Sequence, residues 1–180
     1  MRAFIAIPCP DEVKDRLAAF QSELKDLGDL KLVERENMHL TLKFLGEIDD
    51  LKAAEVSAAL DALNFRAYDV AVKGVGVFPK PDYVRVIWAG VEDNGMTREL
   101  SGRVDGLLKR LDFPAEKDFH PHFTLARVKF LKDRSRLREI MATRSNEIFG
   151  EYKVDKISLM KSVLSPKGPT YSEVKGILLA

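Results

Sequence analysis

Two of the chain's three histidines open the same four-residue phrase, His39-Leu40-Thr41-Leu42 and His122-Phe123-Thr124-Leu125, 83 positions apart (122 − 39). In an extended strand, residues i and i+2 share one face while i+1 points to the other. Each phrase therefore sets an imidazole beside a hydroxyl on a polar face and sends apolar side chains into a core behind it. Histidine, with an ordinary pKa of ~6.5, gives or takes a proton near neutrality. Threonine adds an O–H donor for a phosphate oxygen on a β-branched side chain suited to a strand. Two such strands across one cleft would suit a single in-line displacement at phosphorus, one imidazole as base and the other as acid. A polar strand face needs no function to explain it, but recurrence in two otherwise diverged stretches favours chemistry over mere solvation.

Other chemistries find less support. His120 and His122 could chelate from one strand face. However, Pro121 between them reads as a loop-to-strand junction, and no third ligand stands at metal-site spacing, so His120 is read as a structural neighbour. No Gly-x-Ser-x-Gly elbow or Walker sequence occurs, and Gly74-Val75-Gly76 is better read as strand than as a dinucleotide fingerprint. The single Cys9 excludes an internal disulfide and reads as a buried, inert thiol.

The elements that must carry the motifs also repeat. A strand over 2–7 precedes a helix over 11–27, where Val13, Leu17, Phe20, Leu24 and Leu27 keep helical spacing. The first motif strand covers 38–45, a helix spans 50–63, and strands over 68–78 and 83–91 flank a turn at Pro79-Lys80-Pro81-Asp82. A helix marked by Met96, Leu100, Val104, Leu107, Leu108 and Leu111 follows, then the second motif strand (121–130), a helix (133–145) and strands at 148–154, 155–164 and 170–179. Shifting either first-half helix by 83 lands it on a second-half helix, which points to internal duplication. The pseudo-repeats run over about 11–91 and 94–174, with strands 2–7 and 170–179 completing them. By alternation, Phe44 and Phe123 are expected in the core.

Composition bounds the rest. Charged residues reach 32%, above the ~25% of an average domain, yet 29 Lys+Arg face 28 Asp+Glu. That balance argues against coating nucleic acid by bulk charge and leaves room for a local basic cleft. No apolar run approaches the ~20 residues of a membrane span, and a cytoplasmic protein is expected.

On these residues the chain resembles the two-histidine phosphoesterase superfamily. More narrowly, it is similar to the RNA 2′,3′-cyclic phosphodiesterases, also called 2′-5′ RNA ligases. The likeness includes the opening Met1–Ile7, the extended motifs Asn37–Glu47 and Pro121–Arg127, Arg85–Val91, and Ser165–Tyr171. It implies an α+β, bilobal, internally duplicated fold, with two antiparallel sheets backed by helices around a central cleft. It also implies metal-independent opening of a terminal ribose 2′,3′-cyclic phosphate to a 2′-phosphate, with no cofactor. His39 would be the proton donor, His122 the proton acceptor, and Thr41 and Thr124 the phosphate holders. Arg127, Lys43 and Tyr171 are further candidates for substrate contact; Arg2, Phe4, Lys161 and Lys167 are weaker ones. The partners expected are RNA ends carrying a cyclic phosphate, tRNA fragments among them, met by a monomer. Two alternatives stay open at this point: joining RNA ends through a 2′-5′ linkage, and binding RNA ends without turnover.

Overall fold

The computed structural model describes residues 1–180. Nine strands form one antiparallel sheet: β1 (Arg2–Ile7), β2 (Gly28–Leu32), β3 (Leu40–Glu47), β4 (Tyr68–Lys80), β5 (Tyr83–Glu92), β6 (His122–Leu131), β7 (Ile148–Val154), β8 (Lys156–Ser165) and β9 (Gly168–Leu178). Four helices back it: α1 (Asp11–Gln21), α2 (Asp50–Leu60), α3 (Met96–Leu108) and α4 (Arg134–Thr143). α2 and α4 begin alike, each with an aspartate accepting a backbone N–H from the first turn: Lys52 to Asp49 and Arg136 to Asp133. No helix is long and apolar enough to cross a membrane.

The sheet runs β7-β4-β5-β6-β3-β1-β8-β9, with β2 added alongside β6. β3 and β6 meet through one residue pair, Leu40 opposite Phe123, both fully buried. Beyond it the two strands part, and β2 pairs with the far stretch of β6 from Ala126 to Leu131. The sheet thus consists of two four-stranded halves, each with one motif strand at its inner edge, and β2 is a ninth strand laid along β6. Each half also draws strands from both halves of the sequence. The half holding β3 takes β1, β8 and β9, with α3 packed on β3 and α2 on α3. The half holding β6 takes β5, β4 and β7, with α1 against β7 and α4 against β4. One continuous apolar cluster runs beneath both.

Local departures from the expected pattern have physical causes. α1 ends at Gln21, not Leu27, where Ser22 Oγ donates to the Ala19 carbonyl at 2.7 Å. A 3₁₀ turn over Lys25–Leu27 follows, and because its side chains nearly eclipse at i and i+3, Leu24 and Leu27 still share the buried side. β2 follows directly, a short strand that the expected elements do not include.

The largest departure lies inside the motif strands. Ala6 pairs with Thr41, but the next residue back, Ile5, pairs with Lys43, so Leu42 is an extra, bulged residue. The bulge turns both Leu42 and Lys43 inward and throws Phe44 outward, to 67% exposure. Strict alternation therefore places Phe44 and Lys43 on the wrong sides, whereas Phe123, before any bulge, is in the core as expected. Lys43 is 3% exposed, and its Nζ donates to Asp105 Oδ1 and to the Pro114 carbonyl, both at 2.6 Å. Asp105 Oδ2 in turn accepts the Glu116 N–H at 3.0 Å. The pair ties β3 to α3 and to the segment that leads into the second motif.

Removing one partner of a buried ion pair strands the other charge, at a cost of about 3–5 kcal/mol. Lys43→Ala should lower the urea midpoint by a corresponding amount, while Lys43→Met with Asp105→Leu should lose less than the two single changes summed. A Lys43→Ala midpoint equal to wild type would refute the assignment.

Candidate active site

The parting of β3 and β6 opens a cleft of about 680 Å³, lined by both histidines, both motif threonines and residues from the two sheet halves. His39 stands immediately before β3 and His122 opens β6, so the Leu40–Phe123 pair holds one imidazole at each side of the junction. The two rings are aimed in the same way. His39 Nδ1 lies 2.6 Å from the Asn37 carbonyl, and His122 Nδ1 lies 2.7 Å from the His120 carbonyl. A carbonyl only accepts, so Nδ1 carries the hydrogen in both rings and Nε2 is the nitrogen left for chemistry. His39 Nε2 lies 2.9 Å from Thr41 Oγ1, whose hydroxyl donates when the ring is neutral.

The surroundings of the two rings differ. His39 is stacked on Phe4 (centroids 4.8 Å apart, planes 26°) and meets the edge of Tyr171 at 5.2 Å. Burial pushes its pKa down to about 4; the Asn37 carbonyl opposes this, and Lys14 and His122 add to it. His122 meets Phe78 edge-on at 4.9 Å, with Trp88 farther off at 6.3 Å. Burial lowers its pKa too, again against its backbone carbonyl partner. The Trp88 indole lies across Gly76 on the neighbouring strand, where a Cβ would come within 2.2 Å of the ring. Gly76 is thus a close-approach glycine in a strand.

β6 repeats the bulge of β3. Trp88 pairs with Thr124 and Ile87 with Ala126, leaving Leu125 as the extra residue. Leu125 and Ala126 turn inward, and Arg127 emerges exposed on the cleft side. The next outward-facing position after each His-Thr pair is therefore three residues past the threonine, occupied by Phe44 in one half and Arg127 in the other.

Among the expected site residues, His39, His122, Thr41, Thr124, Arg127 and Tyr171 meet in this one cleft. Tyr171 is half-buried; burial raises its phenol pKa, and Arg127 and Arg2 are near enough to oppose that. Lys43 backs the cleft wall, but its ammonium is committed to Asp105 and Pro114 and is not offered to a ligand. His120 supplies the carbonyl that orients His122, and its ring packs on Trp88 at 4.8 Å. No group of three or more His, Cys, Asp or Glu is placed to hold a metal ion. Cys9 is buried, with its thiol pKa raised to about 12 by that burial.

Several contributors were not singled out from the sequence. Phe78 and Trp88 wall the second histidine, and only their aromatic character within strands hinted at it. Asn37 orients His39 through its carbonyl while its side chain donates to the Pro169 carbonyl at 2.9 Å, fastening the site to the start of β9, just past the β8–β9 turn. Its place two residues before the histidine, like that of His120 before His122, is the signal that could have found it.

The chain is similar to known proteins over nearly its whole length. Methanocaldococcus jannaschii RNA 2′,3′-cyclic phosphodiesterase is 39% identical over 97% of this chain and 99% of its own length. The protein of the same name from Archaeoglobus fulgidus is 37% identical over 97% and 98%. Among solved structures, a Thermus thermophilus protein superposes with a TM-score of 0.84 at 29% identity, covering 99% of this chain and 98% of that one. Escherichia coli LigT in complex with 3′-AMP, at 22% identity and a TM-score of 0.80, shows the same fold over 99% of this chain and 97% of its own. A model of the LigT-like phosphoesterases matches residues 7–88 and then again 92–171, and the chain belongs to that family.

Proposed function

We propose that the protein hydrolyses the 2′,3′-cyclic phosphate at an RNA end to a 2′-phosphate, using two histidines and no metal ion. The observation that carries this reading is the pair of imidazoles facing one cleft, each with Nδ1 tied to a carbonyl two residues back and Nε2 left for proton transfer. The names of relatives that match nearly the whole chain support the choice of substrate. The site is complete within one chain, which fits a monomer acting on RNA ends in the cytoplasm, broken tRNAs among them.

In this mechanism, neutral His122 accepts a proton from water at Nε2 as the water oxygen attacks phosphorus. The P–O3′ bond breaks opposite, and protonated His39 gives its Nε2 proton to O3′. The products are a 2′-phosphate monoester and a free 3′-hydroxyl, and solvent returns the proton from His122 to His39. Thr41 and Thr124 donate to the nonbridging oxygens, and Arg127 offsets their charge. The acid and base roles follow the family resemblance, and the surroundings of His39 are consistent with them. A ring buried between Phe4 and Tyr171 holds a proton weakly, so once protonated it gives one up readily. The substrate's own negative charge, brought beside it, favours that protonated form.

A short RNA ending in a cyclic phosphate should be converted to the 2′-phosphate with EDTA present. His39→Ala and His122→Ala should each lower kcat by a factor of about 10² or more. No conversion by wild type, or conversion indifferent to both substitutions, would overturn the reading.

The His39 ring should titrate near pH 4 by NMR in the free protein and move upward when inorganic phosphate is added. Because its folded pKa lies below the unfolded value of ~6.5, the unfolded chain binds the proton first. Stability from this group is therefore present above about pH 6.5 and lost as pH falls toward about 4, by roughly 3 kcal/mol in all. A ring titrating near 6.5, unmoved by phosphate, would refute the buried acid.

A further inference from the structure

Along the cleft from the two motifs lies a group of cations that the mechanism above leaves largely unused. Lys31 of β2 sits directly opposite Arg127 of β6 in the strand register, so the two side chains share a face, and both line the cleft. Like charges placed directly across a strand pair repel each other. Lys167, on the β8–β9 turn, lines the same cleft. The position a Cβ would occupy at Gly168, next to Lys167, is 3.9 Å from Lys31 Nζ, so the Lys31 ammonium reaches the turn that bears Lys167. The turn is held there by the Asn37 bond to Pro169.

None of these three cations belongs to any of the molecule's ion pairs. Glu34 also lines the cleft, three residues past Lys31, yet it pairs with none of them; the other cleft carboxylates, Glu116 and Asp118, stand on the segment before the second motif. Three mutually repelling cations without a carboxylate partner form a site for an anion. Its position is set by the strand: Arg127 lies three residues past Thr124, roughly 10 Å at most along β6. A guanidinium there can reach the phosphate held at the threonines, while Lys31 opposite it and Lys167 on the turn are left to hold the next linkage of a single strand.

We propose that Lys31 and Lys167, with Arg127 between the two sites, form a second phosphate subsite for the phosphodiester on the 5′ side of the terminal nucleotide. Resting on the function proposed above, this makes the substrate an oligoribonucleotide end and not a free cyclic mononucleotide. Backbone contact of this kind tracks a single strand without reading its bases.

The test pairs two substrates with two proteins. One substrate is a short RNA ending in a 2′,3′-cyclic phosphate; the other is the same RNA with an uncharged methylphosphonate at the linkage on the 5′ side of the terminal nucleotide. Wild type should favour the natural linkage by about tenfold or more in kcat/KM, mainly through KM, with a marked dependence on salt. Lys31→Gln with Lys167→Gln should turn over both substrates alike and show a shallower salt dependence, whereas Lys109→Gln, an exposed lysine outside the cleft, should discriminate as wild type does. A wild type that hydrolyses both substrates equally, or a double variant that still discriminates, overturns the subsite and leaves the activity standing. A wild type that hydrolyses neither overturns the activity and the subsite together.

Discussion

The site depends on one contact, the buried pairing of Leu40 with Phe123. It joins two half-sheets at a single rung, and that rung immediately follows one motif histidine and the other. A longer ladder between β3 and β6 would close the cleft; no ladder would leave the imidazoles on surfaces free to move apart. One rung with complete burial on both sides fixes the junction and lets the strands diverge beyond it. The apolar residues of the two motifs thus do as much for the chemistry as the polar ones, because they hold the two backbones in register where the rings emerge.

From that junction the backbone is nearly symmetric, while the side chains around it are not. Both strands bulge one residue past the threonine, and both histidines lean on the carbonyl two residues back. Yet the positions facing Thr41 and Thr124 on the adjoining strands hold Ala6 and Trp88, and the positions past the bulges hold Phe44 and Arg127. Surroundings that differ between two identical residues can push their proton affinities apart and so favour an acid role for one and a base role for the other. Here one ring is enclosed by Phe4 and Tyr171, and the other sits beside Phe78 with a guanidinium farther along its own strand. Duplication supplied the geometry, and divergence of the neighbours made the two surroundings unequal.

This division also explains what the sequence made legible. His39, Thr41, His122 and Thr124 could be read because strand alternation holds up to the threonine. The helices α2 and α4 could be read because their apolar spacing is long and their offset is shared. Phe44 and Lys43 could not, because a bulge is a backbone event set by pairing with β1 and leaves no mark in residue type. β2 is short, and its pairing with β6 exists only because β3 has already turned away, a tertiary condition that no local pattern carries. The aromatic walls come from strands distant in sequence, so nothing near either motif announces them.

The exchange of strands between the halves ties these points together. The first motif strand is flanked by β1 from one end of the chain and, beyond it, by β8 and β9 from the other. Phe4 of β1 stacks on His39, Tyr171 of β9 meets its edge, and Asn37, which aims the ring, is fastened to Pro169 at the start of β9. The first histidine therefore reaches its buried, oriented state only when both ends of the chain have been laid against it. A fold in which each repeat closed on itself would need no such agreement. Because the ends are exchanged, the environment of His39 reports on the whole sheet, and assembly of the site and completion of the fold are one event.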